Sequence, residues 1–240
     1  MRHWGMGTSG IQVDRKHPTG IVKVIMNQGD PSYEVVQDRA WDFIQADPAI
    51  EAIGSQSFSM LYHGSLAARS RTSCQTLASI RKKVNAPVFI DVNLRPPHWN
   101  RDLIKKLLSG ASWIKLNHSE LQLVIESSSD PAQAAMDLLN THGAEWVITT
   151  RGAEGADITS GRFGTLQQEP PAINGFVDTV GAGDAFSALV IYGLAAQWTP
   201  AVILERAVEF AADICKIQGA TTNNKALYTN RLEQWESTGD

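Results

Sequence analysis

The chain is poor in cysteine and has no long apolar run, and these two absences exclude several classes of protein. Only Cys74 and Cys215 occur in 240 residues, and their separation fits neither a CxxC motif nor a metal-binding spacing. We therefore expect both to be small buried residues of a protein in a reducing compartment. No stretch of about 18 apolar residues is present, as a membrane-spanning helix would need, and the N-terminus does not resemble a signal peptide. The prediction is a soluble cytoplasmic protein with no membrane partner.

Charged residues are also sparse, and neither sign dominates. Lysine and arginine total 21, aspartate and glutamate total 25, and the formal net charge is −4. Since no block of basic residues occurs, we expect no nucleic acid partner. Apolar residues make up 43% of the chain, which suffices for one large α/β domain or two small ones with a buried core.

Apolar strands and helical segments alternate along most of the sequence. Residues 20–29 and 31–40 are rich in β-branched side chains around a Gly-Asp-Pro turn, which predicts a hairpin. Beyond them come predicted strands at 57–65, 87–93, 112–117 and 145–150, and predicted helices at 68–84, 101–110, 119–126, 130–143, 183–196 and 200–219. This alternation predicts an α/β fold with a doubly wound, mostly parallel sheet and helices on both faces. The segments 155–160 and 161–169 should add antiparallel strands at one edge.

Polar residues directly follow three of the predicted strands. They are DVNLR at 91–95, LNHSE at 116–120 and TTRGAEG at 149–155. Each alone is ordinary turn chemistry, because Asn, Asp and Gly are common in loops. Ligands of open α/β sheets bind outside the carboxyl ends of the strands, so the three segments together favour a shared site.

A glycine turn with an aspartate lies in the segment NGFVDTVGAGDAFSALV, residues 174–190. Gly181 and Gly183 allow close approach of a ligand, and the helix that follows offers free N–H groups to a phosphate. The chain has no Gly-Lys-Ser/Thr of a P-loop, and Phe186 replaces the third glycine of a dinucleotide fingerprint. The Asp184 carboxylate fits a site of phosphoryl transfer, where it would accept the proton of the attacking hydroxyl. On this turn alone, a simple helix N-cap is an equally good role.

The segment DTVGAGDAF closely resembles the D-T-x-G-A-G-D signature of the ribokinase/PfkB family of carbohydrate kinases. DVNLRPPHW, KLNHSEL, ITTRGAEGA and IQGATTNNKALY resemble further motifs of the family, in the same order. The resemblance covers nearly all of residues 19–228 and is strongest to the fructokinase-like branch. It implies ATP-dependent phosphorylation of a sugar hydroxyl.

The resemblance also implies a role for each matching position in catalysis and nucleotide binding. Asp184 would be the catalytic base. The anion hole would be formed by Gly181, Ala182 and Gly183. The nucleotide would contact Thr150, Gly152, Gly219 and Ala220.

Ions and the phosphoryl acceptor are assigned in the same way. Asn117 and Glu120 would hold Mg²⁺ and phosphate through water, since hard oxygen ligands suit that ion. A monovalent cation, usually K⁺, would bind at Asp178 and Val180. The phosphoryl path or the sugar would lie near Asn93 and Arg95. His63, after an apolar strand, is expected to be a packed core or rim residue.

The front of the chain departs from the family pattern. Members usually begin with a strand carrying a substrate-binding aspartate and then a Gly-Gly motif, and residues 1–38 resemble only a later part of the lid with its connecting loop. We therefore predict a partial β-lid over 1–38, and an α/β kinase core with the nucleotide site over 39–240. The usual N-terminal segment is expected to be missing through a wrong start, a fragment or a true truncation. A homodimer through the lid is a further expectation.

Two alternatives to a fructokinase remain open at this level. The substrate of the kinase could be 2-keto-3-deoxygluconate or a nucleoside. The chain could also be a non-catalytic nucleotide-binding or regulatory module on a kinase scaffold, because the family's sugar-gripping motif is absent while its nucleotide motifs are present.

Overall fold

A computed structural model describes residues 1–27, 30–125 and 130–238 of the chain. The chain divides into two compact units, Met1–Ser109 and Gly110–Asp240. Within the described ranges every helix is too short or too polar to cross a membrane. The lid boundary expected after residue 38 stays a prediction.

The first unit begins with the predicted hairpin. Strand β1 (Val22–Asn27) pairs antiparallel with β2 (Asp30–Val35). Of the predicted turn, residues 28–29 lie outside the described residues, whereas Asp30 and Pro31 belong to β2. The register places Lys23 opposite Glu34, and their side chains form an exposed ion pair at 3.2 Å. The hairpin prediction is confirmed.

The rest of the first unit is α/β. It contains α1 (Ala46–Ile53), β3 (Leu61–Gly64), α2 (Arg71–Val84), β4 (Val88–Asp91) and α3 (Arg101–Leu108). Strands β3 and β4 are parallel, and β4 is buried along its whole length. The side chain of Ser70 caps the start of α2, and that of Asn100 caps the start of α3, as these residues do at helix N-termini. Cys74 on α2 is half-buried, in contrast to the full burial predicted.

A buried ion pair fastens the end of the hairpin to the turn that follows it. Asp42 closes a 3-10 turn at Ala40–Asp42, and its two oxygens accept from Nε and Nη2 of Arg69 at 2.6 and 2.7 Å. The same guanidinium donates to the carbonyl oxygens of Val35 and Val36 at 3.2 and 2.7 Å. Both charged side chains are less than a tenth exposed. One arginine, just before α2, therefore links the end of β2 to the turn.

The second unit contains the longer part of the α/β arrangement. Its elements are β5 (Trp113–Asn117), α4 (His118–Val124), α5 (Pro131–His142), β6 (Trp146–Thr150), β7 (Ala156–Ser160), β8 (Gly164–Gln168), α6 (Ala182–Ala195), α7 (Pro200–Ile214) and α8 (Ala226–Thr238). Strands β5 and β6 are parallel, whereas β7 and β8 are antiparallel to their neighbours, as predicted. The carboxyl ends of β5 and β6 bring Asn117 and Thr150 into register.

Two helices, α1 and α8, were not predicted from the sequence. Helix α8 packs its aromatic residues on α7, with Trp235 edge-to-face against Phe210 at 6.2 Å between ring centroids. The apolar face of α8 is short and interrupted by polar residues, so its helical period is weak in the sequence. Cys215, next to the end of α7, is buried as predicted, and burial and then the nearby Asp178 carboxylate raise the pKa of its thiol.

Candidate functional site

The glycine turn at the start of α6 is built against the loop between α7 and α8. Gly181 is the N-cap of α6 and has a φ of +86°, a conformation that favours glycine. A Cβ at this position would lie 2.6 Å from Cα of Ala220 and 2.8 Å from its Cβ. Both the backbone conformation and the space therefore require glycine here.

We expect Gly181→Ala to destabilise the protein by about 2 to 4 kcal/mol, because it combines a left-handed alanine with a clash against backbone. The free energy of unfolding in denaturant measures the effect. Gly143→Ala is the matched control, since Gly143 also has a positive φ, +66°, but nothing lies within 4 Å of its Cβ position. The control should lose about 1 kcal/mol. Equal losses in the two variants would contradict the contact with Ala220.

Asp184 lies in the first turn of α6 with its side chain exposed. It is not the N-cap, because Gly181 occupies that position and no side chain caps the helix. No hydrogen bond or ion pair joins the Asp184 carboxylate to another described residue. The N–H of Ala182 donates to the Thr179 carbonyl oxygen at 3.2 Å, whereas those of Gly183 and Asp184 have no acceptor within the described ranges. The turn thus places the Asp184 carboxylate beside free amide donors, and free amides at a helix N-terminus suit a bound anion.

Lys115 is a candidate site residue that was not predicted from the sequence. It lies on β5 and is only 7% exposed, although lysine is rarely buried without a partner. Its ammonium nitrogen lies 3.4 Å from the carbonyl oxygen of Gly183, which also accepts from the Ser187 hydroxyl at 3.0 Å. The sequence does contain a sign of this residue, because a lysine interrupts the otherwise apolar strand segment SWIKLN. Its charge lies at the first turn of α6.

Asn117 and Glu120 form a reciprocal capping box at the start of α4. The Asn117 side-chain oxygen accepts from the Glu120 N–H, and the Glu120 carboxylate accepts from the Asn117 N–H, both at 2.9 Å. This pattern satisfies two backbone donors of the helix. The Asn117 side chain is exposed and keeps a further oxygen lone pair, so it fits water-mediated contact with Mg²⁺. Within the described ranges, no group of three or more His, Cys, Asp or Glu residues is arranged to hold a metal directly.

The loop between β6 and β7 carries Thr150 and Gly152. Gly152 has a φ of +59°, and the Arg151 N–H closes the loop on the Gly155 carbonyl oxygen at 2.7 Å. The Arg151 guanidinium pairs with Asp157 at 2.9 Å. Burial raises the pKa of Asp157, although the charge of Arg151 acts in the opposite direction.

A cavity of about 610 Å³ opens beside this loop, and the predicted residues Asn117, Thr150 and Gly152 are among its lining. Other lining residues are His118, Asp130, Arg151, Asp157 and Gln167. The volume is in the range typical of small-molecule sites. The structure therefore brings the N-x-x-E and T-x-G segments to one concave surface.

Asp178 connects the glycine turn to the loop after α7. One carboxylate oxygen accepts from the Val180 N–H at 2.8 Å, and the other accepts from the Gly219 N–H at 3.0 Å. Each oxygen keeps a lone pair that a K⁺ ion can use. The structure thus groups Asp178, Val180, Gly219 and Ala220 around the turn.

The remaining predicted site residues, Asn93 and Arg95, lie in the first unit, after β4. Asn93 has a positive φ of +42°, and its carbonyl oxygen accepts from the Ser65 hydroxyl at 3.4 Å. The Arg95 guanidinium donates to the Leu94 carbonyl oxygen at 3.4 Å. His63 is 6% exposed, as predicted, and burial lowers the pKa of its imidazole to about 4.

Residues 1–227 match the pfkB family of carbohydrate kinases. The chain belongs to this family, which confirms the resemblance seen in the glycine turn. A curated relative is a fructokinase of Salmonella typhimurium, 28% identical over 202 residues, a match that covers 80% of this chain. The chain spans 64% of the length of that relative.

Solved structures give the same fold. A fructokinase from Vibrio cholerae O395, determined with fructose, ADP and a calcium ion, is 26% identical with a TM-score of 0.71, over 90% of this chain and 74% of that one. A ribokinase II described as putative, from E. coli, determined with ATP and Mg²⁺, has a TM-score of 0.75 at 18% identity, over 92% of this chain and 72% of that one. The predicted α/β fold, with a mainly parallel central sheet flanked by helices, is confirmed.

Proposed function

We propose that the chain is an ATP-dependent sugar kinase that transfers the γ-phosphoryl group of ATP to a hydroxyl of a fructose-like ketose or a furanoside. The observation that carries the proposal is the first turn of α6, where an exposed carboxylate without a described partner lies beside free amides and a buried lysine. A turn that only bound phosphate would gain nothing from Asp184, whose charge repels an anion.

Asp184 is the general base of this reaction. Its carboxylate takes the proton of the sugar hydroxyl as that oxygen attacks the γ-phosphorus, and the bond from phosphorus to the β,γ-bridging oxygen breaks to release ADP. A short side chain in the first turn is held close to the reacting atoms by the backbone itself.

The anion hole consists of the turn Gly181, Ala182 and Gly183. The free amides at Gly183 and Asp184 support stabilisation of the charge on the transferring phosphoryl oxygens. Lys115 adds a positive charge next to the Gly183 carbonyl oxygen. Its burial strengthens the interaction of that charge with a bound phosphate, because surrounding protein screens less than water.

Thr150 and Gly152 line the cavity that we assign to the nucleotide, with Gly219 and Ala220 flanking its adenine. Asn117 and Glu120 would hold Mg²⁺ through water, and this ion would supply charge neutralisation of the phosphates. Asp178 and Val180 are the proposed K⁺ ligands. Asn93 and Arg95 are assigned to the sugar or the phosphoryl path.

The test is ADP release from Mg-ATP in the presence of K⁺, with fructose, ribose, 2-keto-3-deoxygluconate and nucleosides as separate acceptors. ADP release that depends on fructose supports the proposal. If ADP is released only with another acceptor, the chain is still a kinase, but fructose is not its substrate. Calorimetric binding of Mg-ADP without release by any acceptor would favour the nucleotide-binding module instead. Absence of both binding and release would contradict the nucleotide site.

We expect Lys115→Met to lower kcat/KM for Mg-ATP by about tenfold or more, because it removes the buried charge at the anion hole. Methionine has a similar length and suits the apolar surroundings of β5. Steady-state kinetics measure the effect, with Lys23→Met on the exposed hairpin as the control. Unchanged kcat/KM in Lys115→Met would contradict a role of the Lys115 charge in the anion hole.

A further inference from the structure

The loop between α7 and α8, residues 216–225, and Cys215 just before it contact the glycine turn and the segment leading into it at three points. At the end of α7, the Cys215 carbonyl oxygen accepts from the Val177 N–H at 2.9 Å. The Gly219 N–H donates to Asp178 at 3.0 Å, and Ala220 packs on Gly181. The position of this loop therefore sets the shape of the surface assigned above to the adenine and K⁺.

The two ends of the loop are joined by a cluster of charges centred on Asp213. Asp213 lies in the last turn of α7, and its side chain is 11% exposed. One oxygen pairs with the Lys216 ammonium at 2.8 Å, and the other accepts from Nε of Arg231 on α8 at 2.6 Å. A short charge-assisted hydrogen bond of this kind is stronger than a neutral one.

The directions of the pKa shifts in the cluster agree with its geometry. Burial acts to raise the pKa of Asp213, but hydrogen bonds from Arg231 and Lys216 outweigh it, so the pKa lies below its ordinary value. Hydrogen bonding to Asp213 raises the pKa of Arg231. The pair is therefore ionised at neutral pH, on both sides of the loop.

We infer that Asp213 is a positioning residue that fixes the 216–225 loop for nucleotide binding by joining the end of α7 to Lys216 and to Arg231 of α8. This inference rests on the proposed function, because it needs a nucleotide beside Gly219 and Ala220. The carboxylate closes the base of a ten-residue loop. Its loss removes the direct link between the end of α7, Lys216 and Arg231, so the loop gains freedom that nucleotide binding must then remove.

Glu209 offers a matched control for the charge. It is also on α7 and also approaches Arg231, but at 3.6 Å and with a third of its side chain exposed. It makes no described contact with Lys216. Glu209→Gln removes the same unit charge from the same arginine without opening the base of the loop.

The experiment is calorimetric titration of the whole chain and its variants with Mg-ADP, which needs no turnover. We expect Asp213→Asn to raise the Kd by about three- to tenfold, Asp213→Glu to recover part of the affinity, and Glu209→Gln to stay within about twofold. Lys216→Met should also raise the Kd. Because Lys216 is exposed, this variant tests the same ion pair even if Asp213→Asn fails to fold.

A purely structural role would lower the thermal midpoint of Asp213→Asn while leaving the Kd of both loop variants unchanged, and that result would overturn the inference. If the unchanged chain binds no Mg-ADP, the proposed function fails, and the inference fails with it. If the unchanged chain binds and the variants bind equally well, only the inference fails.

Discussion

Asp184→Asn is expected to lower kcat for sugar phosphorylation by about 10²- to 10⁴-fold, the usual contribution of a positioned general base. The side chain keeps its size, so packing of the first turn of α6 should be unchanged. The Kd for Mg-ADP should stay within a few-fold of its original value, because the free amides of the turn remain. Steady-state kinetics and calorimetry together measure the two effects.

Asp102→Asn is the matched control for this variant. Asp102 is also an acidic residue in the first turn of a helix, α3, so it carries the same helix-dipole interaction without a place in the proposed site. It should retain full activity. Equal activity in Asp184→Asn and the original chain would refute the role of Asp184 as base, and an equal loss in both variants would assign the effect to stability.

Arg69→Met is expected to lower the free energy of unfolding by about 3 to 5 kcal/mol, because it leaves the Asp42 carboxylate buried without its partner. The substitution also removes the donors to the Val35 and Val36 carbonyl oxygens. Chemical denaturation at neutral pH measures the loss. Lys23→Met breaks the exposed pair with Glu34 instead and should cost less than about 1 kcal/mol.

The loss caused by Arg69→Met should shrink in acid. Burial acts to raise the pKa of Asp42, but the hydrogen bonds and charge of Arg69 lower it below the ordinary value of 3.8. An acid with a lowered pKa in the folded state stabilises the protein above its unfolded pKa, and this contribution disappears as the pH falls through the folded pKa. The difference between the two proteins should therefore be constant near neutral pH and decrease below about pH 4. A difference independent of pH would contradict the ion pair as its source.

The sequence was sufficient to predict the α/β class because strand and helix periods are local properties of the chain. The antiparallel pair β7 and β8 was predicted for the same reason. The α8 helix was missed, since its helical state depends on packing of Trp235 against Phe210 of α7, a contact that no local pattern reveals. The Asp42–Arg69 pair was missed too, because its members are separated by 27 positions.

In the candidate site, too, the local features were predicted and the contacts between distant residues were not. The turn at 181–184 and the capping box of Asn117 and Glu120 are local, and their segments were identified from the sequence. The reason that Gly181 must be glycine lies in Ala220, which only the fold brings near it. Lys115 was visible as a charge within an apolar strand, but its neighbour Gly183 is 68 positions away.

Phosphoryl transfer to the sugar can be followed by ³¹P NMR of the chain incubated with Mg-ATP, K⁺ and fructose. We expect a growing phosphomonoester signal matched by ADP, present with the original chain and absent with Asp184→Asn. Inorganic phosphate and ADP without a phosphomonoester would show hydrolysis in place of transfer. Formation of the phosphomonoester at the same rate by both proteins would contradict the assignment of the turn as the catalytic centre.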